Sequence, residues 1–174
     1  MLSSSMNEKL NAQITREFYS SYLYRQMASC LDQLGLSVLE QFFIDQADEE
    51  RMHAIKLIDY VQKAGGKLIL GAVDAPPPEY GSVLDICERT LEHERKITQH
   101  IHALVAQAEQ DKDYSTRSYL QWYIDEQVEE EASFADLVQL ARLAGNDLLA
   151  LEDRVEKILA RRAPALGEGA QAGR

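Results

Sequence analysis

A spacing of three and four residues between core-type side chains is sustained in four separate stretches of this chain, and it leaves few folds open. The first stretch runs Leu10, Ile14, Glu17, Ser21, Tyr24, Ala28 and Leu31. The second runs Leu39, Phe43, Ala47, Glu50, Ala54, Leu57 and Val61. The third runs Val83, Cys87, Thr90, Glu94, Ile97, Ile101 and Leu104, and the fourth Leu120, Tyr123, Gln127, Glu130, Phe134, Leu137 and Ala141. This is the period of a helix that buries one face. No stretch shows the period of two that a strand requires. Four long helices with one buried stripe each pack as a four-helix bundle, so the expected class is all-α.

Glycines and capping residues set the expected helix ends. The first helix spans about 5–34 and stops at Gly35, and the second spans about 37–64 and stops at Gly65-Gly66. The third runs to about residue 110 with Ser82 as N-cap, and the fourth spans about 115–144 before Gly145. A short fifth helix starts at an Asp147 cap and ends before Pro164, leaving 164–174 as a disordered tail. Helices one and two, and three and four, are joined by short loops and form antiparallel hairpins. The link between them, about 67–81, is long and carries "APPP" at Ala75–Pro78. About 15 extended residues reach ~50 Å, whereas a 28-residue helix is only ~42 Å long. The link therefore reaches from one end of the bundle to the other. The third helix then runs parallel to the second, the one-crossover topology.

Each stripe carries an acidic residue where an apolar one belongs: Glu17, Glu50, Glu94 and Glu130, with Gln127 one turn before the last. Ionised carboxylates are rarely buried unless they are paired or bind metal. Reflecting one helix onto its hairpin partner tests their level. The midpoint of Glu94 and Glu130 falls at Lys112, inside the expected loop, and that of Glu17 and Glu50 falls between Gln33 and Leu34, beside Gly35. All four carboxylates should meet in one layer at mid-bundle and repel one another there. Either several are protonated within a hydrated polar layer, or cations sit among them. His53 is the one imidazole expected to point inward, and no Lys or Arg falls on any stripe, so an ion-pair network lacks its positive partners. A bound polyvalent cation resolves the repulsion. Oxygen-rich ligation with one imidazole suits iron or manganese.

Charge and cysteine usage narrow the setting. The formal net charge of −11, from 18 basic and 29 acidic residues, disfavours nucleic-acid binding through phosphate neutralisation and favours a cationic ligand. Solubility alone accounts for the acidity equally well. Cys30 and Cys87 are far apart and form no metal-type pair, and a reduced, cytoplasmic setting is expected. The first residues hold no apolar run, so no signal peptide is expected, and no stretch approaches the ~20 apolar residues of a membrane span.

With these residues in view, the chain resembles the ferritin-like di-iron carboxylate proteins, which take a Glu from each of two helices and Glu-x-x-His from each of the other two. Glu17 and Glu94 match the lone glutamates, and "ERMH" at Glu50–His53 matches one Glu-x-x-His. The fourth helix departs from the symmetric pattern, reading "EQVEEE" at Glu126–Glu131, so that Gln127-x-x-Glu130 stands in place of the second motif. Bacterioferritins keep the symmetric pattern and place a haem-binding Met directly after the second-helix Glu. Here Arg51 holds that place and Met52 is one step later, so no haem is expected. "EQVEEE", "QWY" (121–123), "FYSSYLY" (18–24) and "ADEERMH" (47–53) together resemble bacterial non-haem ferritin. The resemblance covers about 6–159 and implies one ferritin-like domain over 1–163.

The resemblance also implies roles. Glu17, Glu50 and His53 would hold a first iron, and Glu50 would bridge to a second held by Glu94 and Glu130 with Gln127 close by. Glu49, Glu126 and Glu129 would form a third iron site sharing Glu130; on the residues alone, they read as a solvated acidic face. Tyr24, two turns from Glu17, would be an electron donor or hydrogen-bond partner, and Trp122 a further electron source or a packing residue. His93, His100 and His102 are read as non-ligands. The implied activity is ferroxidase: oxidation of Fe(II) by O2 or H2O2, with the ferric product stored as mineral inside a homo-oligomeric shell of 24 chains. No nucleic-acid or membrane partner is expected. Three rival readings each make a demand of the sequence. A rubrerythrin-type peroxidase would need Cys-x-x-Cys pairs. A DNA-protecting mini-ferritin would place its ligands between subunits. A helical interaction module would have to bury glutamates without cations.

Overall fold

The computed structural model describes residues 2–168, with side chains as far as residue 160. It contains α1 (Ser4–Gln33), α2 (Ser37–Lys63), α3 (Val83–Gln110), α4 (Tyr114–Ala144) and α5 (Leu148–Glu168), and no strand among the described residues. The expected starts carry side-chain caps. Ser82 Oγ accepts from Asp85 N at 3.0 Å, Asp113 Oδ1 from Thr116 N at 3.0 Å, and Asp147 Oδ1 from Ala150 N at 3.0 Å. α2 has no cap of its own. The Glu152 carboxylate of α5 instead accepts from Val38 N (3.2 Å) and Leu39 N (2.8 Å), placing a negative charge at that helix's positive end. Gly35 ends α1 at φ 73°, a left-handed conformation that costs glycine little. α5 departs from expectation: it continues past Pro164 to Glu168. A proline removes one donor and crowds the preceding turn, and here the helical path persists through it. Residues 169–174 of the expected tail lie outside the described residues.

The long link lies along α1. Asn7 brackets Lys67, accepting from its N–H at 2.8 Å and donating to its carbonyl at 3.1 Å, and Asn11 does the same for Lys67 O (2.9 Å) and Ile69 N (2.7 Å). Further along, Gln26 Nε2 donates to Pro78 O at 3.3 Å. A Cβ at Gly66 would press on the Asn7 amide that holds Lys67, so a larger residue there would have to displace that side chain. The crossover makes α3 parallel to α2. The start of α2 (Leu39, Phe43) shares an apolar cluster with the start of α3 (Val83, Ile86, Cys87) and the ends of α1 and α4. The opposite cluster gathers Met6, Leu10, Leu57, Val61, Ile101, Leu104 and Leu120.

Between these two clusters the core is polar, with Glu17, Ser20, Glu50, His53, Thr90, Glu94, Gln127 and Glu130 all buried. The bundle is also lopsided. α1 and α3 approach with Cα atoms within 8 Å of each other, whereas α2 and α4 do not. Aromatic rings hold the latter pair apart. Tyr60 stacks on Tyr119 at 3.8 Å, the His53 and Trp122 rings are 5.2 Å apart, and Phe42 meets Phe134 at 5.8 Å. The gap leaves room for the carboxylates. No helix among the described residues is long and apolar enough to cross a membrane.

Candidate metal centre

The layer is built one side chain per helix, with His53 added from α2. Glu17 Oε1 accepts from Gln13 Nε2 at 2.8 Å. Glu50 lies within proton-sharing reach of both Glu17 and Glu94. The Tyr24 hydroxyl donates to Glu94 Oε1, and Gln127 Nε2 donates to Glu94 Oε2 at 3.1 Å. His53 Nδ1 faces Glu50 Oε2 at 3.5 Å. Ligand atoms of Glu17, Glu50 and His53 all lie within 4.8 Å of one another, and so do those of His53, Glu126 and Glu130. His53 thus sits between two candidate groups.

Burial dominates the electrostatics. It pushes the Glu17 carboxyl up, and it raises Glu50 and Glu130 far above the usual carboxylate range, with neighbouring carboxylates adding to the shift. Glu94 rises only to about 7, because burial is opposed by the Tyr24 and Gln127 hydrogen bonds. Burial, then the charge of Lys56, lowers His53 to about 4, so its imidazole is neutral at physiological pH with a lone pair free for a metal. Glu50 Oε2 and Glu130 Oε2 are buried without any hydrogen-bond partner. Each such atom costs about 1–3 kcal/mol, and more when charged. Two orphaned carboxylate oxygens beside a neutral imidazole form a donor set suited to a divalent cation that prefers oxygen, and they suit iron as substrate.

A ferritin-like domain model matches residues 7–144, the whole stretch that brings these four helices together. The chain belongs to the ferritin-like family. It is 40% identical over 147 residues to a probable bacterial non-heme ferritin-like protein of Haemophilus influenzae, covering 84% of this chain and 89% of the relative. It is 38% identical over 151 residues to a bacterial non-heme ferritin of Staphylococcus aureus, covering 87% and 91%. Among solved structures, an open-pore ferritin of the hyperthermophilic archaeon Archaeoglobus fulgidus superposes with a TM-score of 0.87 at 46% identity, covering 90% of this chain and 97% of that one. These ferritin relatives support a role in iron storage and a ferritin-type di-iron site in this chain.

Within this ferritin-like bundle, the flanking acids are less gathered than the layer itself. Glu49 and Glu129 are exposed and Glu126 is half-buried. They nonetheless sense one another. Partial desolvation followed by the charges of Glu126 and Asp45 raises Glu49, and desolvation followed by Glu129 raises Glu126. Trp122, about one-third exposed, lies under Lys56, whose Nζ is 3.1 Å from the ring centre. His53 is not the only histidine turned inward. The half-buried His93 ring meets Tyr24 edge-on at 6.0 Å, and its Nε2 is 2.7 Å from Ser20 Oγ. It lies off the α3 stripe, and the close approach of α1 to α3, invisible in the spacing, draws it in. Gln13, fully buried beneath Glu17, is a further site residue that the spacing argument passed over. Its position four before Glu17, on the same helix face, was the available signal.

Proposed function

We propose that this chain is a ferroxidase of the non-haem ferritin type. Two Fe(II) ions bind in the mid-bundle layer. Glu17, Glu50 and His53 hold the first, and Glu50, Glu94 and Glu130 the second, with Gln127 at its edge. The observation that carries this reading is the pair of orphaned, buried oxygens on Glu50 and Glu130, whose carboxyls burial, and then the charges of neighbouring carboxylates, push toward the protonated form. Binding Fe(II) displaces those protons and supplies the positive charge that the layer lacks. Each Fe(II) then gives one electron. Two Fe(II), O2 and two protons become two Fe(III) and H2O2; with H2O2 as oxidant, two Fe(II), H2O2 and two protons become two Fe(III) and two waters. Taking both electrons together avoids the unfavourable one-electron reduction of O2. The Tyr24 hydroxyl and Gln127 amide orient the Glu94 carboxylate, which supports a hydrogen-bonding role for Tyr24.

Glu49, Glu126 and Glu129 form a third iron site on the way out of the layer. The charge of Glu126 felt at Glu49, that of Glu129 felt at Glu126, and the nearness of Glu126 to His53 and Glu130 support it. Ferric product collects in the cavity of a homo-oligomer of 24 chains in the cytoplasm, and no haem takes part. Aerobic addition of Fe(II) followed by ferric absorbance tests the chemistry, and mass photometry of the iron-loaded protein tests the shell. Absence of a fast oxidation phase would remove the ferroxidase reading. A particle no larger than a dimer would remove the storage reading.

A further inference from the structure

Arg16 is the one arginine or lysine, among the residues whose side chains are described, that is not exposed. Among the described residues it has no ion-pair partner, and its one side-chain hydrogen bond is a 3.3 Å donation from Nη1 to Gln13 Oε1. A half-buried guanidinium with most of its donors uncommitted is unusual in a chain of net charge −11. It lines a pocket of about 290 Å³ between α1, α3 and the crossover link, on the side of the bundle away from α2 and α4. Lys96 and His100 of α3 line the same pocket, with the Thr15 side chain and the Tyr19 ring on the α1 wall. Burial, then the charge of Arg16, lowers His100, so the pocket carries its positive charge on Arg16 and Lys96.

We propose that this pocket binds a phosphate group. The Arg16 guanidinium supplies a planar fork that matches two oxygens of a tetrahedral oxyanion, and Lys96 supplies a point charge across from it; the Thr15 hydroxyl of the wall is already donated to Asn11 O at 3.3 Å. Three acids stand nearby. Glu17, the next residue along α1, is felt by Arg16 but forms no ion pair with it among the described residues. Glu92 pairs with Lys96 at 2.7 Å, an exposed pair of little strength that Lys96 can leave for a stronger anion. Asp74 of the link lines the mouth and forms no ion pair with either cation. The site is independent of the iron-binding reading, since neither Arg16 nor Lys96 belongs to the carboxylate layer. It nevertheless lies one residue behind that layer, because Gln13 accepts from Arg16 and donates to Glu17.

Isothermal titration of the metal-free, assembled full chain with inorganic phosphate tests the proposal, with a phosphomonoester (glycerol phosphate) as a second arm. Saturable binding near one phosphate per chain is expected, with sulfate competing. Lys96→Gln, at an exposed position that should fold normally, should weaken binding at least tenfold. Arg16→Ala should weaken it further, and Arg16→Lys should fall between, because it keeps the charge and loses the fork. Asp74→Asn should tighten it. Stronger binding of the monoester than of free phosphate would assign the ligand to a larger phosphorylated molecule, and the reverse to the free anion. Absence of saturable binding, or binding unchanged in Lys96→Gln and Arg16→Ala, would overturn the site. Because iron is absent throughout, that result would leave the ferroxidase reading standing, and loss of ferroxidase activity would leave this one standing.

Discussion

Glu49 and Glu50 are neighbours on α2, as Glu129 and Glu130 are on α4, yet each pair divides between two environments. Glu50 and Glu130 are buried and each leaves an oxygen without a partner, whereas Glu49 and Glu129 face solvent. One residue along a helix is a turn of about 100°. That rotation changes a carboxylate from a solvated surface charge into a group whose burial costs more than ordinary hydrogen bonding returns. The acidity of the chain therefore says little about where it binds metal. The informative acids are those that four helices turn to one level, where their mutual repulsion leaves a cation as the stabilising occupant.

The largest expected effect separates the two environments directly. Glu50→Ala should abolish the fast phase of Fe(II) oxidation, and Glu17→Ala and Glu130→Ala should slow it by more than the roughly 10–100-fold lost when even an outer partner of a metal ligand is removed. Stability should move the other way. In metal-free protein near pH 8, Glu94→Gln should raise stability by on the order of 1–3 kcal/mol, because it removes a buried charge whose cost is set by a shift from 4.5 to about 7. Thermal melts of Glu94→Gln beside the parent protein check the sign.

A pH series sharpens the same contrast. Between the unfolded value of 4.5 and about 7, folded Glu94 keeps a proton that the unfolded chain has released. The native state then binds more protons, so the stability of the metal-free protein should fall as pH rises through this window and be greatest below it. Glu17, Glu50 and Glu130 shift in the same direction and add to the fall. Metal binding should flatten the slope and release protons, measurable as acidification of a weakly buffered sample. A metal-free melting temperature that rises from pH 5 to pH 8 would contradict the buried arrangement.

Much of this layer was readable before any coordinates. Glu17, Glu50, Glu94 and Glu130 stand out because each interrupts an apolar stripe, and the reflection that placed a turn at Lys112 anticipates the chain reversal found there, where φ is 54°. The long link disclosed the topology because chain length is a geometric quantity. Lateral distances were not readable. Nothing in a 3–4 spacing states that α1 and α3 pack closely while rings of Tyr60, Tyr119, Trp122 and Phe42 hold α2 and α4 apart. Nor does it state that His53 reaches Glu126 and Glu130 across that gap as well as Glu50, or that His93 and Arg16, on the closely packed α1 and α3, are partly buried. Pro164 misled for a different reason: a stop signal is a cost of about 3 kcal/mol, and the observed helix runs through it.

The flank should respond more weakly. Glu126→Gln and Glu129→Gln should leave the fast phase within about twofold while slowing recovery before a second dose of Fe(II) several-fold, with Glu126→Gln the stronger because its carboxylate alone approaches His53. Stability should change by about 0.5 kcal/mol or less in either, as for surface substitutions generally. Equal loss of the fast phase in both variants would merge the flank with the layer and erase the distinction.

The smallest effect is expected at Asp48, the third acid of the run that contains Glu49 and Glu50. Its carboxylate pairs with Arg25 at 3.5 Å, and both side chains are largely exposed. Such a pair contributes roughly 0–1 kcal/mol, and Asp48→Asn should alter neither the melting temperature nor the oxidation rate measurably. The result is informative because a different mechanism predicts otherwise. If the acidic surface as a whole drew Fe(II) in by long-range attraction, removing any nearby charge would slow uptake, and the loss would vanish as salt shortens the Debye length to ~10 Å at 0.1 M. Measuring Asp48→Asn and Glu49→Gln at low and moderate ionic strength separates the two. A rate that depends on Glu49 at both salt concentrations, and on Asp48 at neither, keeps function with residues that touch iron; a salt-sensitive loss in both would transfer it to the field of the surface.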